Sequence, residues 1–426
     1  MTAPPHTVGS AEWGSATPGR AARWARRIAT PAIRAVRAMD RAVGRAVGTR
    51  MLLIEARTPM NLAVLRPVID ALLGDERLQL CFTGVDREDL RRGFDDLGVS
   101  GQVIARDRAT WSRVDLYINA DPWDAVALRR TARQVNFFHG VAGKFDLDCP
   151  VNLPMGFDRY DRVAFPNEGR LNRYVAAGIV TRERAALVGY PKADALATTH
   201  LPAAAAAAAL GLDPARPTVI YAPTFSPASS LHVCGEAIVS GLLASGWNVI
   251  TKLHDRSFDP DPKYSGGIDW RMRLGRYTEQ GRFLLASGAD STPYVLASSA
   301  MVTDHSTIGF EFCVLDRPVV VFDVPGLAEA ARINPEKIAL LRSAASVVGT
   351  LKDLLLAVRT ELAASDRLSA ARRRAANEVF YRPGGATGRA LHLIYESLSL
   401  PYPGALRNRR TVPGSAEPVK AGSESA

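Results

Sequence analysis

Cysteine is scarce in this chain: four in 426 residues, Cys81, Cys149, Cys234 and Cys313, far apart and without a CxxC pair. That spacing argues against a disulfide framework or a zinc knuckle and fits a reducing cytosol. Long hydrophobic runs are missing too. None approaches the roughly 18–20 apolar residues a membrane span needs, and the N-terminal stretch lacks the apolar core of a signal peptide. The seven histidines are scattered and no HExxH occurs, so no metal and no cofactor is expected. There is also no GxxxxGKS/T phosphate loop, no GxGxxG after a strand and no GxSxG elbow. These absences set aside the commonest nucleotide-binding and hydrolase signatures.

What is present is an ordinary globular composition, 47% apolar and 23% charged, long enough for two cores. The net charge of +10 is uneven: within residues 1–50 nine arginines stand against Glu12 and Asp40. A nucleic-acid-binding protein would keep such an excess on its folded body, so no nucleic-acid partner is expected. On a helical wheel of about 100° per residue, Trp24, Ile28, Val36, Met39 and Val43 share one face, while Arg26, Arg27, Arg34, Arg37, Arg41 and Arg45 share the other. This is the pattern of an arm lying in the plane of an anionic membrane surface. The plainer reading is a helix packed on its own protein with solvated arginines, and its alanine-rich face is shallow enough to keep that reading open.

From residue 51 onward, strand-like and helix-like segments alternate. MLLIEA (51–56), LQLCFTG (78–84), VDLYIN (114–119) and RQVNFF (133–138) read as buried strands. PTVIYAP (217–223), WNVITKLH (247–254), AMVTDH (300–305) and PVVVFD (318–323) repeat the theme. Such alternation predicts parallel sheets built from βαβ units. The proline- and alanine-rich stretch 199–217 has little to pack and reads as the junction. The expected fold is α/β, two doubly wound Rossmann-like domains facing across a cleft. The divisions are a basic arm over 1–50, a first Rossmann-like domain over 51–200 and a second over 213–384. A closing helix follows over 385–400, then a disordered tail over 401–426.

Open α/β sheets bind ligands beyond the carboxyl ends of their strands, so the residues following each strand carry the functional reading. After VNFF comes HGVAGK. His139 is placed for proton transfer, Gly140 for a tight turn, and Lys144 to meet a phosphate; a histidine that merely caps a helix is the competing reading. After TVIYAP come Thr224 and Ser226, which any capped helix would also supply. Lys252 and His254 fall on one strand face, and a cation beside an imidazole suits a pyrophosphate. In VTDHSTIGFEF, Thr303, Asp304, Ser306 and Thr307 surround an expected helix N-terminus, a phosphate seat, with Glu311 placed to take a sugar hydroxyl. His305 reads as a packing residue.

Seven segments in order, HGVAGK, VGYPKADAL (188–196), YAPTFS, KLHD, VTDHSTIGFEF, RPVVVF and GGATGRA, resemble the CDP-glycerol glycerophosphotransferase family, which includes teichoic acid primases and polymerases. The resemblance covers roughly residues 130–395. It implies a GT-B fold and transfer of glycerol phosphate, or a related polyol phosphate, from a CDP-activated donor to a hydroxyl of a lipid-linked cell-envelope acceptor, with release of CMP and no required metal. It also implies a peripheral enzyme on the inner face of the plasma membrane. His139 resembles the family's first active-site histidine, a base for the acceptor hydroxyl, and His254 the second, beside the pyrophosphate. Thr303, Ser306 and Thr307 resemble its donor-binding hydroxyls. The chain departs from the family in HGVAGK for HGTPLK, HD for HP at 254–255, and DHST for DYSS.

Two other readings compete. A GT-B sugar-nucleotide glycosyltransferase or UDP-sugar 2-epimerase shares the architecture. An epimerase needs carboxylates in the cleft, and Asp121, Asp146 and Glu168 are available, though in no familiar pattern. A non-catalytic nucleotide- or membrane-binding scaffold is the other; two strand-end histidines argue against it.

Overall fold

The computed structural model describes residues 35, 36, 39, 48–123, 125–141, 148 and 156–403. Lys144 and the six arginines named above, with Trp24 and Ile28, lie outside the described residues. Of the arm's apolar face, Val36 and Met39 are described, and both are exposed.

Two six-stranded sheets carry the fold, with their strands paired in parallel. The first has the order β2-β1-β3-β4-β5-β6. Its strands are β1 (Arg50–Ala56), β2 (Leu78–Gly84), β3 (Val114–Asn119), β4 (Thr131–Phe137), β5 (Arg162–Phe165) and β6 (Ala185–Leu187). The second has the order β12-β11-β10-β7-β8-β9. It is made of β7 (Thr218–Ala222), β8 (Asn248–Thr251), β9 (Phe283–Leu285), β10 (Ala300–Thr303), β11 (Val319–Phe322) and β12 (Ser346–Val348). Every residue of β3, β7, β8, β10 and β11 is buried, as expected of strands covered on both faces. Strand order reverses between β1 and β3 and between β7 and β10, which puts a ligand crevice at the carboxyl end of each pair.

The stretch expected to have little to pack does pack. Ala203–Ala209 is a helix, and Ala206, Ala207 and Leu212 enter the core beside Ile220 and Met301. Alanine gives up little rotamer entropy and lets the helix approach closely. The chain crosses back at its end: helix Ala386–Leu398 lays Leu391, Leu393, Ile394 and Leu398 on the first sheet's core. Between the sheets, helix Pro191–Thr198 packs against helices Pro59–Leu73, Ile308–Val314 and Ala386–Leu398. Among the described residues no helix is long and apolar enough to cross a membrane.

Candidate active site

The first crevice holds an oriented histidine. His139 follows β4, and its ring is one-third exposed (36%). Its Nδ1 faces Asp121 Oδ1, and Asp121 Oδ2 accepts from Asn61 Nδ2 at 3.0 Å. Asn61 Oδ1 accepts in turn from the backbone N–H groups of Arg57 (2.8 Å) and Thr58 (3.1 Å), in the turn after β1. Asp121 and His139 therefore follow the ends of β3 and β4, and Asn61 lies in the first turn of the helix after β1, across the switch point. Burial favours the neutral ring, but the charge and hydrogen bond of Asp121 outweigh it, and the His139 pKa is raised above its ordinary value. Burial likewise opposes ionisation of Asp121, yet His139, Asn61 and Arg57 together hold its pKa below the usual carboxylate range. A proton on Nδ1, held by Asp121, leaves the Nε2 lone pair as the basic atom.

The backbone after His139 is fixed from two sides. Tyr190 Oη donates to His139 O at 2.9 Å, and Arg170 Nη1 donates to Gly140 O. Arg170 is fully buried and pairs with Asp148 at 2.8 Å; Asp148 Oδ2 accepts from Asn334 Nδ2 of the second half at 3.0 Å. The φ of Gly140 is not positive, and a Cβ there would meet no atom within 4 Å. What Gly140 provides is open space beside His139.

In the second crevice the hydroxyl-rich loop differs from the phosphate seat read from the sequence. Asp304 is fully buried and spends both oxygens on protein donors: Oδ1 accepts from Thr224 N (2.7 Å), and Oδ2 from Ser230 N (2.8 Å) and Ser230 Oγ (2.7 Å). A carboxylate already fills that nest of N–H groups, so Asp304 joins the β7 and β10 loops and does not bind phosphate. Thr303 is also committed, its Oγ1 donating to Ala222 O at 2.8 Å and accepting from Ser306 N at 3.3 Å. Ser306 and Thr307 stay half-buried at the start of helix Ile308–Val314. Thr224 Oγ1 is buried and, among the described residues, has no hydrogen-bond partner. Ser226 Oγ accepts from Ala228 N at 3.2 Å. His305 has φ +124° and is nearly buried, consistent with a packing role in a strained loop.

Lys252 and His254 follow β8. Lys252 is 8% exposed, and its Nζ donates to Leu253 O at 2.9 Å. Burial lowers its pKa. His254 Nδ1 accepts from Arg256 N at 3.1 Å, so its ring proton sits on Nε2; the ring lies 4.3 Å from that of Phe225. Glu311 is not held out toward solvent. Its Oε2 meets Lys192 Nζ at 2.6 Å and Ser291 Oγ at 2.8 Å, all three groups being buried.

Asn61, Tyr190, Lys192 and Arg170 are not singled out by the sequence, and Asp121 is named there only as a carboxylate available to an epimerase. VGYPKADAL was the available signal, because a lysine next to a helix-opening proline is unusual in a buried segment. Asp194 of the same segment accepts from Gly384 N (2.8 Å), Ala386 N (3.1 Å) and Thr387 N (2.6 Å), so it caps the closing helix and explains GGATGRA. Tyr190 and Lys192, two residues apart, touch the first and second crevices respectively, so the two carboxyl edges converge on this segment. Among the described residues no group of three or more His, Cys, Asp or Glu could hold a metal ion.

Residues 123–327 match the family described as CDP-Glycerol:Poly(glycerophosphate) glycerophosphotransferase. Over that segment, just under half of the chain, the sequence is similar to this family. It is thus a transferase of the glycerophosphotransferase type. No curated protein sequence matches the chain. Among solved structures, a histidine variant of the wall teichoic acid polymerase TagF aligns with a TM-score of 0.59 at 13% identity, covering 88% of this chain and 98% of that one. A second TagF variant, soaked with CDPG, gives 0.60 at 13% identity, covering 90% and 99%. A putative UDP-N-acetylglucosamine 2-epimerase from Listeria monocytogenes gives 0.53 at 14% identity, covering 83% and 98%. At these identities the likeness is one of fold, and the fold is GT-B.

Proposed function

We propose that the protein transfers glycerol phosphate, or a related polyol phosphate, from a CDP-activated donor to a hydroxyl of a lipid-linked cell-envelope acceptor and releases CMP. The observation that carries this reading is His139, set by Asp121 and Asn61 as a base and joined through Tyr190–Lys192 to the second crevice. In the reaction the acceptor oxygen attacks the phosphorus bearing the polyol, and Nε2 of His139 takes the hydroxyl proton. The bond from that phosphorus to the bridging oxygen breaks, and CMP leaves with the bonding electrons. His254, whose proton is on Nε2, donates to the departing phosphate and is not a second base. The ammonium of Lys252, the Thr224 hydroxyl, and Ser306 and Thr307 meet the donor's phosphates; a site built of such donors stabilises developing charge by a few kcal/mol per group. These groups supply the positive potential, and the proposal calls for no metal or cofactor. We assign Lys144 to the acceptor side and the arginine arm to an anionic membrane surface, as a peripheral protein of the inner face.

Thermal melting with CDP-glycerol, CDP-ribitol, UDP-GlcNAc and GDP-mannose tests the donor. At 100 times its dissociation constant the true ligand adds about 2.7 kcal/mol of stability. Stabilisation by CDP compounds alone is expected; stabilisation only by a UDP or GDP sugar rejects the transferred group. A 2-epimerase reaction is the second reading, favoured by the fold shared with the Listeria protein. Against it, Asp121 is spent on His139 and Asn61.

A further inference from the structure

We propose that Lys192 is a positioning residue: by holding Glu311 it keeps that carboxylate from neutralising Lys252, and so leaves the Lys252 ammonium for the donor's pyrophosphate. The inference rests on the donor reading above and adds a residue from outside the donor sheet to the donor site.

The argument is one of charge in a buried place. Lys192, Glu311 and Lys252 are each less than one-tenth exposed, at 3%, 6% and 8%. Buried charges are expensive unless paired. Lys192 is paired: its Nζ lies 2.6 Å from Glu311 Oε2 and 2.6 Å from Ser291 Oγ, and Ser291 Oγ itself donates to the same carboxylate oxygen at 2.8 Å. Lys252 is not. Among the described residues its ammonium makes one hydrogen bond, to the carbonyl of Leu253, which satisfies one of three N–H groups and none of the charge. Of the charges acting on Lys252, exposed Asp255 favours its charge most, buried Lys192 opposes it, and buried Glu311, with Asp290, also favours it. Two buried cations therefore share one buried anion, and Lys192 has taken it. The cluster keeps an excess positive charge at Lys252, at the carboxyl end of β8 where an anionic ligand belongs.

Lys192 is delivered by helix Pro191–Thr198, in the segment joining the two sheets, whereas Ser291, Glu311 and Lys252 all belong to the second half. Asp194, two residues on, is locked to the start of the closing helix, so the position of Lys192 is set by the packing of the whole molecule. Without Lys192, Glu311 would turn to the remaining cation, and the site would become neutral just where it must attract a diphosphate.

Inorganic pyrophosphate is the appropriate probe because it has no ribose to contact Glu311 directly. Its dissociation constant, with that of CDP, is measured by calorimetry for the wild type and for Lys192→Met, Lys192→Arg, Glu311→Gln and Lys192→Met/Glu311→Gln. Lys192→Met should weaken pyrophosphate about tenfold, the scale of one partly screened charge pair. The double variant, with Lys252 again unneutralised, should return to within about threefold of the wild type. Lys192→Arg should stay near the wild type, and Glu311→Gln alone should tighten pyrophosphate. An equal penalty for Lys192→Met whether residue 311 is Glu or Gln would mean a merely structural lysine and would overturn the proposal. If Lys192→Met does not fold, weaker pyrophosphate binding by Glu311→Gln overturns it instead. Wild-type protein that binds pyrophosphate but no CDP compound refutes the donor reading and leaves this test intact; protein that binds neither refutes both.

Discussion

His139 and His254 share a side chain but carry their protons on opposite nitrogens, and the cause is one neighbour each. Asp121 accepts from Nδ1 of His139, whereas the Arg256 amide donates to Nδ1 of His254. The first ring is left with a basic Nε2 and the second with an acidic one. Replacing His139 by Ala should lower kcat by about 10²–10⁴-fold, the usual worth of a general base. Turnover that survives this change would remove His139 from the chemistry. Because the folded pKa of His139 is raised and its neutral form is the base, activity should fall as pH drops through a value above the ordinary ~6.5. In Asp121→Asn that acidic limb should move to lower pH, and kcat should drop at least ~10²-fold because the tautomer is no longer fixed. A pH–rate profile unchanged in Asp121→Asn would separate Asp121 from the base. His139 could be named from the chain, but its partners could not: Asn61 and Asp121 look unrelated to it until parallel strands bring their following loops together.

At the scale of elements, the site depends on two ties that hold loops and helix ends. Asp194 satisfies three backbone N–H groups at the start of Ala386–Leu398, groups that have no partner within the helix. Asp194→Ala should therefore destabilise the protein by about 2 kcal/mol, read as a lower melting temperature. No change in melting would show that the closing helix holds without its cap. Arg170 is the second tie. It binds Gly140 O beside the base and Asp148, which binds Asn334 of the second half. Arg170→Met strands a buried carboxylate and should cost about 3–5 kcal/mol. Activity should fall with it, since the His139 loop loses its anchor. The strands legible from sequence were those set in apolar, largely branched runs. β5, β6, β9 and β12 were not: β5, β6 and β12 hold Arg, Ala or Ser within three or four residues, and β9 is only Phe283-Leu284-Leu285.

For the whole molecule, the couplings between the two halves include Tyr190–Lys192, Asp148–Asn334, and the closing helix on the first sheet. Arg173 adds a partly exposed pair to Glu336 at 3.0 Å, which is worth little by itself. The arginine arm belongs to this scale too, because its proposed partner is a surface and not a pocket. Deleting residues 1–49 should abolish sedimentation with vesicles containing anionic lipid and leave pyrophosphate affinity unchanged. Equal sedimentation of the full and shortened chains would dismiss the anchor. Binding that declines with salt, as a basic arm requires, is the companion measurement.

The sequence by itself determined the fold class, because buried parallel strands must be continuous apolar runs alternating with helices. It also determined where to look, because ligands meet such sheets at strand ends, and it named His139, Lys252 and His254 there. Tertiary structure alone decided which polar residues were still available to a ligand. Asp304, Thr303 and Glu311 look open in a one-dimensional reading, but each is claimed by a partner 74 to 119 residues away. A hydrogen bond between distant residues leaves no periodicity and no motif, so which carboxylate orients a base and which lysine keeps its charge depends on the folded chain.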